Sequence, residues 1–172
     1  MFFGKLHPVE EGVVYRCGKL DIEKLKESIE KLGIRSILRV VTLQRKNRAY
    51  FKELEKFCVD KGVKYYSQSL THNTVPSKDK IAAIMEVFKN AQYPMLIMCH
   101  RGADRSGLTS ALYKMYRKCP RKETLNQLSL YPYRHFWFMH WRYHRFLKNL
   151  YEKFDGDLEK YLKSEVDYSE SI

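Results

Sequence analysis

The sequence predicts an α/β domain in which a mostly parallel central sheet of four to five strands carries helices on both faces. Three observations lead there. Short β-rich runs alternate with segments whose apolar residues recur at helical spacing, the order that yields parallel strands joined by crossover helices. One run, Met95-Leu96-Ile97-Met98, is apolar at every position, as a strand buried on both faces requires. The chain has 172 residues and a mass of 20.6 kDa, room for one core but cramped for two domains.

The elements follow in order. Val13-Val14-Tyr15-Arg16 reads as the first strand. Asp21 is placed to cap a helix whose Ile22, Leu25, Ile29 and Leu32 repeat at 3-4-3 spacing, and Gly33 ends it. A second strand spans 36–41, and a basic loop, Gln44-Arg45-Lys46-Asn47-Arg48, comes next. A helix over 49–61 is closed by Gly62 and leads into a third strand at 63–66. Polar residues 67–76 read as a loop. Ser77 starts a helix that runs to about 91, with Ile81, Ile84, Met85 and Phe88 on one face. After the apolar strand comes Cys99-His100-Arg101-Gly102-Ala103-Asp104-Arg105-Ser106-Gly107, then a helix over 106–117 and helical sequence over 121–154.

Lysine and arginine exceed aspartate and glutamate, for a net charge of +12. The excess is uneven: residues 155–172 carry −4 and the first 154 carry +16. The basic body suits an anionic partner, whether nucleic acid, acidic lipid, phosphoprotein or phosphorylated small molecule. The acidic end reads as a solvated, fraying tail, so the expected division is a domain over 1–154 and a tail over 155–172. The longest apolar runs are about five residues, against the roughly 20 of a membrane span. Nor is the start apolar enough for a secretory signal. The four cysteines, Cys17, Cys58, Cys99 and Cys119, have no metal-site or redox-pair spacing. A reducing, cytoplasmic setting is therefore expected, with Cys17, Cys58 and Cys119 as small buried hydrophobes.

The chemistry is concentrated in Cys99-x5-Arg105-Ser106. The spacing by itself is weak, but here it follows an apolar strand, contains Gly102 for tight curvature, and opens a helix. A loop curling into a helix N-terminus aims backbone N–H groups at one point, and the helix dipole adds positive potential there. Arg105 is able to grip two phosphate oxygens with its planar fork. The same field favours the Cys99 thiolate, and Ser106 is placed to hydrogen-bond the sulfur and help it leave. A thiolate beneath a cradled phosphate is set for in-line attack on phosphorus. In such sheets this is also the expected place, beyond a strand's carboxyl end.

These residues resemble the cysteine-based protein tyrosine phosphatase superfamily, whose signature is Cys-x5-Arg-Ser/Thr. The compact atypical dual-specificity type, bacterial and plant-fungal, is the most similar. The likeness extends to Val14-Tyr15-Arg16-Cys17-Gly18-Lys19-Leu20, to Leu32-Gly33-Ile34-Arg35-Ser36-Ile37-Leu38-Arg39, to Pro94-Met95-Leu96-Ile97 and to Gly107-Leu108, roughly residues 10–150 in all. It implies the tyrosine-phosphatase fold and hydrolysis of phosphate monoesters through a phosphocysteine, with no metal or organic cofactor. Cys99 is then the nucleophile, Arg105 and Ser106 assist it, and His100, Arg101, Gly102 and Ala103 line the anion. The chain departs from the family at Met98, where a histidine usually supports the loop.

The proton donor is open at this stage. Relatives usually carry an aspartate on a loop 30–40 residues before the cysteine, yet residues 61–78 contain no carboxylate. The candidates are Asp104 within the loop (a position where myotubularin-like lipid phosphatases carry their acid), Asp79, and His72. Asp60 reads as a surface carboxylate.

Substrate is open too. Arg101 and the stretch 45–48 offer positive charge beyond Arg105, suited to an inositol phosphate or phosphoinositide, whereas the dual-specificity likeness suits phosphoproteins. The aromatic-basic stretch 131–146 reads as a helix packing on the sheet, ahead of RNA, membrane or zinc binding. Other classes stay in play: a phosphate-binding pseudophosphatase, a rhodanese-like sulfurtransferase and a basic nucleic-acid binder.

Overall fold

In the computed structural model the described residues are 6–72, 74–129 and 141–169. They form strands β1 (Leu6–Glu10), β2 (Val14–Cys17), β3 (Ser36–Val41), β4 (Lys64–Leu70) and β5 (Met95–Met98). The helices are α1 (Ile22–Lys31), α2 (Arg45–Asp60), α3 (Lys78–Asn90), α4 (Asp104–Tyr116), α5 (Arg121–Asn126), α6 (Trp141–Phe154) and α7 (Leu158–Lys163). The sheet order is β1-β2-β5-β3-β4; β2, β5, β3 and β4 are parallel, and β1 pairs antiparallel with β2 at the edge. The expected α/β architecture is therefore present. Right-handed crossovers place α1 and α2 on one face, because β2, β3 and β4 advance in one direction. The return from β4 to β5 reverses direction and puts α3 on the other. β5 ends up in the middle, every residue buried.

Local sequence explains several boundaries. Asp21 accepts from the N–H groups of Glu23 and Lys24 at 3.2 and 3.3 Å and starts α1. Gly33, at φ +61°, ends it in a conformation that costs other residues about 1 kcal/mol or more. The helical reading of 121–154 is broken, with α5 ending at Asn126 and residues 127–129 non-helical, and three other readings differ from expectation. β1 was not legible: its Pro8 reads against a strand, and an edge position is where a proline is tolerated. β4 continues to Leu70 because Ser67, Gln68 and Ser69 lie on the opposite edge strand, where polar side chains reach water. The basic stretch at 45–48 is not a loop but the first turn of α2. The buried Asn47 side chain accepts from Gln44 N–H at 2.7 Å and donates to Thr42 O at 3.2 Å, which secures that turn early.

Of the acidic C-terminal stretch, residues 155–169 are described, and they pack on the body rather than fray. Asp157 caps α7, accepting from Glu159 N and Lys160 N at 2.9 and 3.1 Å. Leu158, Tyr161 and Tyr168 join the main core. Tyr161 stacks on Tyr168 with ring centroids 5.5 Å apart, and both rings meet Phe146 of α6. The charges stay outside while the aromatics between them are buried. α6 buries Tyr143, Phe146, Leu147 and Leu150, but it packs mainly on α5 and α7 rather than on the sheet. The rest of the aromatic-basic stretch, 131–140, lies outside the described residues.

Candidate active site

Residues 99–103 leave the carboxyl end of β5, curl, and enter α4 at Asp104. β2 runs alongside and guides the curl: Cys99 N–H donates to Cys17 O at 3.3 Å, and Lys19 N–H donates to His100 O at 2.9 Å. The chain leaving β2 passes so close that only glycines fit. A Cβ on Gly102, which sits at φ +76°, would lie 2.4 Å from Gly18 N. One on Gly18 would lie 2.7 Å from the Arg101 carbonyl. Within the curl, Gly102 N–H donates to Cys99 Sγ at 3.2 Å, and Ser106 Oγ is 3.3 Å from the same sulfur. Cys99 is almost wholly buried, yet it lines an open pocket of about 300 Å³ together with Arg105. The thiol is therefore a pocket floor, and Arg105 faces the same space.

The loop's conformation is held from below by a residue that the motif does not include. Arg16 of β2 is fully buried. Its Nε and Nη2 donate to Gly102 O at 3.2 and 2.9 Å, Nη2 also to Ala103 O at 2.8 Å, and Nη1 to Gln127 O at 2.6 Å. Drawing those loop carbonyls down toward β2 turns the opposite edges of the peptides, the N–H groups, toward the pocket. The sequence did carry a signal: a charged residue inside the apolar run Val13-Val14-Tyr15-Arg16-Cys17. A strand places arginine there only when its guanidinium has partners. Met98, where a histidine was expected to brace the loop, is a core residue, and Arg16 supplies the bracing from the adjacent strand.

The pocket walls are Lys46, His72, His100, Arg101, Asp104 and Arg105. Lys46 arrives from the first turn of α2, so the basic stretch does reach the site, by one residue. His100 and Arg101 are exposed at the rim, while Gly102 and Ala103 are buried in the curl. Burial, with the charges of Lys19, Lys46 and Arg105, holds the His100 imidazole below its ordinary 6.5, partly offset by a backbone hydrogen bond of its own. Of the three proton-donor candidates, two meet: His72 Nε2 lies 3.4 Å from Asp104 Oδ2. Asp79 does not join them. It is exposed in the first turn of α3 and lines no part of this pocket.

The other cysteines are free thiols in different settings. Burial, reinforced by Cys99 nearby, pushes Cys17 strongly upward, and burial pushes Cys58 up to about 12. Both are inert neutral thiols. Cys119 is only partly buried, short of the expected burial. Among the described residues, no group of three or more His, Cys, Asp or Glu side chains could hold a metal ion.

No protein-family model matches the chain, and no curated protein does. Solved structures do. The core catalytic domain of the PP-IP phosphatase SIW14 from S. cerevisiae matches with TM-score 0.62 and 19% identity, over 88% of this chain and 93% of that one. TpbA from P. aeruginosa matches with TM-score 0.65 and 13% identity, over 94% and 98%. Tk-PTP in its active form matches with TM-score 0.62 and 19% identity, over 86% and 99%. The chain has the fold of the cysteine-based, tyrosine-phosphatase-like phosphatases. At these identities the likeness is one of backbone. It accounts for the parallel sheet and for a helix opening directly after the central strand. Among the described residues no helix is long and apolar enough to cross a membrane.

Proposed function

We propose that this protein hydrolyses phosphate monoesters through a phosphocysteine at Cys99, and that its substrates are small molecules bearing several phosphates, of the inositol phosphate kind. The observation that carries the chemistry is Cys99 Sγ on the floor of a pocket, with Gly102 N–H and Ser106 Oγ at 3.2 and 3.3 Å and Arg105 in the wall. Cys99 attacks phosphorus in line with the leaving oxygen. Arg105 and the N–H groups of 100–105 take the charge of the trigonal phosphoryl group as it transfers. Preorganised donors of this sort act without reorganisation at the moment of reaction, and each is worth about 3 kcal/mol in comparable oxyanion sites. Water then attacks the phosphocysteine, and Ser106 stabilises the departing thiolate.

The substrate class rests on excess charge. One phosphate is matched by Arg105 and the loop. Lys46 and Arg101 line the same pocket and exceed what a single phosphate dianion needs. The PP-IP phosphatase whose fold this chain shares fits that reading. Four free thiols suit a reducing, cytoplasmic setting.

A phosphate-release panel of inositol polyphosphates, phosphotyrosine peptides and phosphoserine peptides tests both parts. The expected kcat/KM favours the inositol polyphosphates at least about 10-fold, with Lys46→Ala removing about 5-fold of it at low salt and less at high salt. Cys99→Ser is expected to abolish release from all of them. Faster turnover of the peptides overturns the substrate class. An inactive wild type overturns the chemistry and leaves a phosphate-binding module.

A further inference from the structure

The proton for the leaving oxygen has a source in the geometry. We infer that His72, held by the Asp104 carboxylate, is the proton donor and acceptor of the reaction, with Asp104 a positioning residue rather than the acid itself. This rests on the phosphatase reading of Cys99 above.

Three observations lead to it. First, the loop between β4 and α3 forms one wall of the pocket, and His72 is the one titratable side chain between Leu70 and Lys78. β4 runs parallel to β5 in the same sheet, so its carboxyl end and Cys99 emerge at one edge. Second, the imidazole is anchored. Its Nε2 is 3.4 Å from Asp104 Oδ2. The backbone on either side is tied, with the buried Tyr143 hydroxyl donating to Thr71 O at 3.4 Å and Thr74 Oγ1 donating to His72 O at 3.3 Å. Third, Asp104 is placed to hold the imidazole. It opens a 13-residue helix, whose dipole favours the carboxylate, and Arg105 is its neighbour in sequence. A carboxylate so placed can orient an imidazole and stabilise its charged form. Imidazole is also the side chain that carries or releases a proton near neutrality.

The step balances. As the Cys99 Sγ–P bond forms and the P–O bond breaks, the leaving oxygen takes the proton of the His72 imidazolium and departs as an alcohol. Neutral His72 then removes a proton from the water that attacks phosphorus. The P–S bond breaks, and thiolate and imidazolium are restored. Among the described residues, the titratable and charged side chains that line the pocket with His72 are Asp104 and Arg105 from α4, Lys46 from α2, and Cys99, His100 and Arg101 from the loop between β5 and α4.

The test is a leaving-group series of aryl phosphates, from 2,4-dinitrophenyl phosphate to phenyl phosphate, run on wild type, His72→Gln and Asp104→Asn over pH 5–9. His72→Gln is expected to lose about 100-fold on phenyl phosphate but only about 5-fold on the dinitrophenyl ester, whose leaving group needs no proton. Its alkaline limb in kcat disappears. Asp104→Asn is expected to lose about 10-fold on phenyl phosphate and little on the dinitrophenyl ester, because the imidazole has lost the carboxylate that holds it. His72 is half exposed, so its variant is expected to fold; Asp104 is buried, so melting curves accompany its variant. The ratio of rates on two substrates is independent of the folded fraction. A leaving-group-dependent loss in Asp104→Asn but not in His72→Gln overturns the inference and makes Asp104 the acid. So does a loss in His72→Gln that is equal for every ester. If wild type fails to turn over even the dinitrophenyl ester, it is the phosphatase reading that falls.

Discussion

Replacing Arg16 by methionine removes the brace under the 99–105 loop while keeping an unbranched apolar stem of similar reach. The structure sets the size of the effect. Among the described residues four donor contacts disappear, two to Gly102 O and one each to Ala103 O and Gln127 O, while Ala103 O keeps the Gly107 N–H at 3.1 Å. An unsatisfied buried carbonyl costs about 1–3 kcal/mol. Part of this is offset because the variant no longer desolvates a guanidinium, so the expected net loss is about 3–5 kcal/mol, the range for breaking a buried charged network. For a chain of this length each kcal/mol corresponds to roughly 2–4 °C in Tm. A fall of about 6–20 °C is therefore expected by calorimetry or circular dichroism. The second readout is functional. With the carbonyls released, the loop N–H groups lose their common aim, and inhibition by inorganic phosphate at a temperature where the variant is folded should weaken about 10-fold or more. Arg16→Lys should recover little, since one ammonium cannot bridge three carbonyls in a plane. If Arg16→Met melts within about 2 °C of wild type and binds phosphate equally well, the loop is self-supporting and the bracing role assigned to Arg16 is wrong.

Two further outcomes are expected. Tyr161→Ala removes a fully buried ring stacked on Tyr168 and edge-on to Phe146 and Phe154, and should cost about 3–5 kcal/mol in chemical denaturation; an unchanged midpoint would show that the C-terminal segment is not part of the cooperative core. His100 and His7 are both held below the ordinary imidazole value of 6.5, chiefly by burial. The unfolded chain therefore takes up these protons first as pH falls through 6.5, so Tm should drop from about pH 7 toward about pH 5 and His100→Asn should flatten that slope. A slope that is unchanged in the variant would refute the contribution of His100.

The loop from Cys99 to Ser106 was legible because it is contiguous: an apolar strand, a glycine curl and a helix start lie in a row, with Cys99, Arg105 and Ser106 at fixed offsets along it. The parallel sheet was legible for a similar reason, since periodicity and order are local properties of the chain. Edge strands were harder to read. β1 and the end of β4 are half-solvated, and their polar residues look like loop. The C-terminal segment misled through its net charge, which describes its outer face and conceals Leu158, Tyr161 and Tyr168 beneath.

By itself, then, the amino-acid order determined which sulfur and which guanidinium line the candidate pocket, since both are specified within seven consecutive residues. Only the tertiary structure decided what surrounds them. Strand register set Arg16 beneath the loop, the loop after β4 brought His72 to Asp104, and the path of α3 left Asp79 outside. Such meetings depend on which elements become neighbours across a sheet, a property of packing that no spacing along the chain encodes.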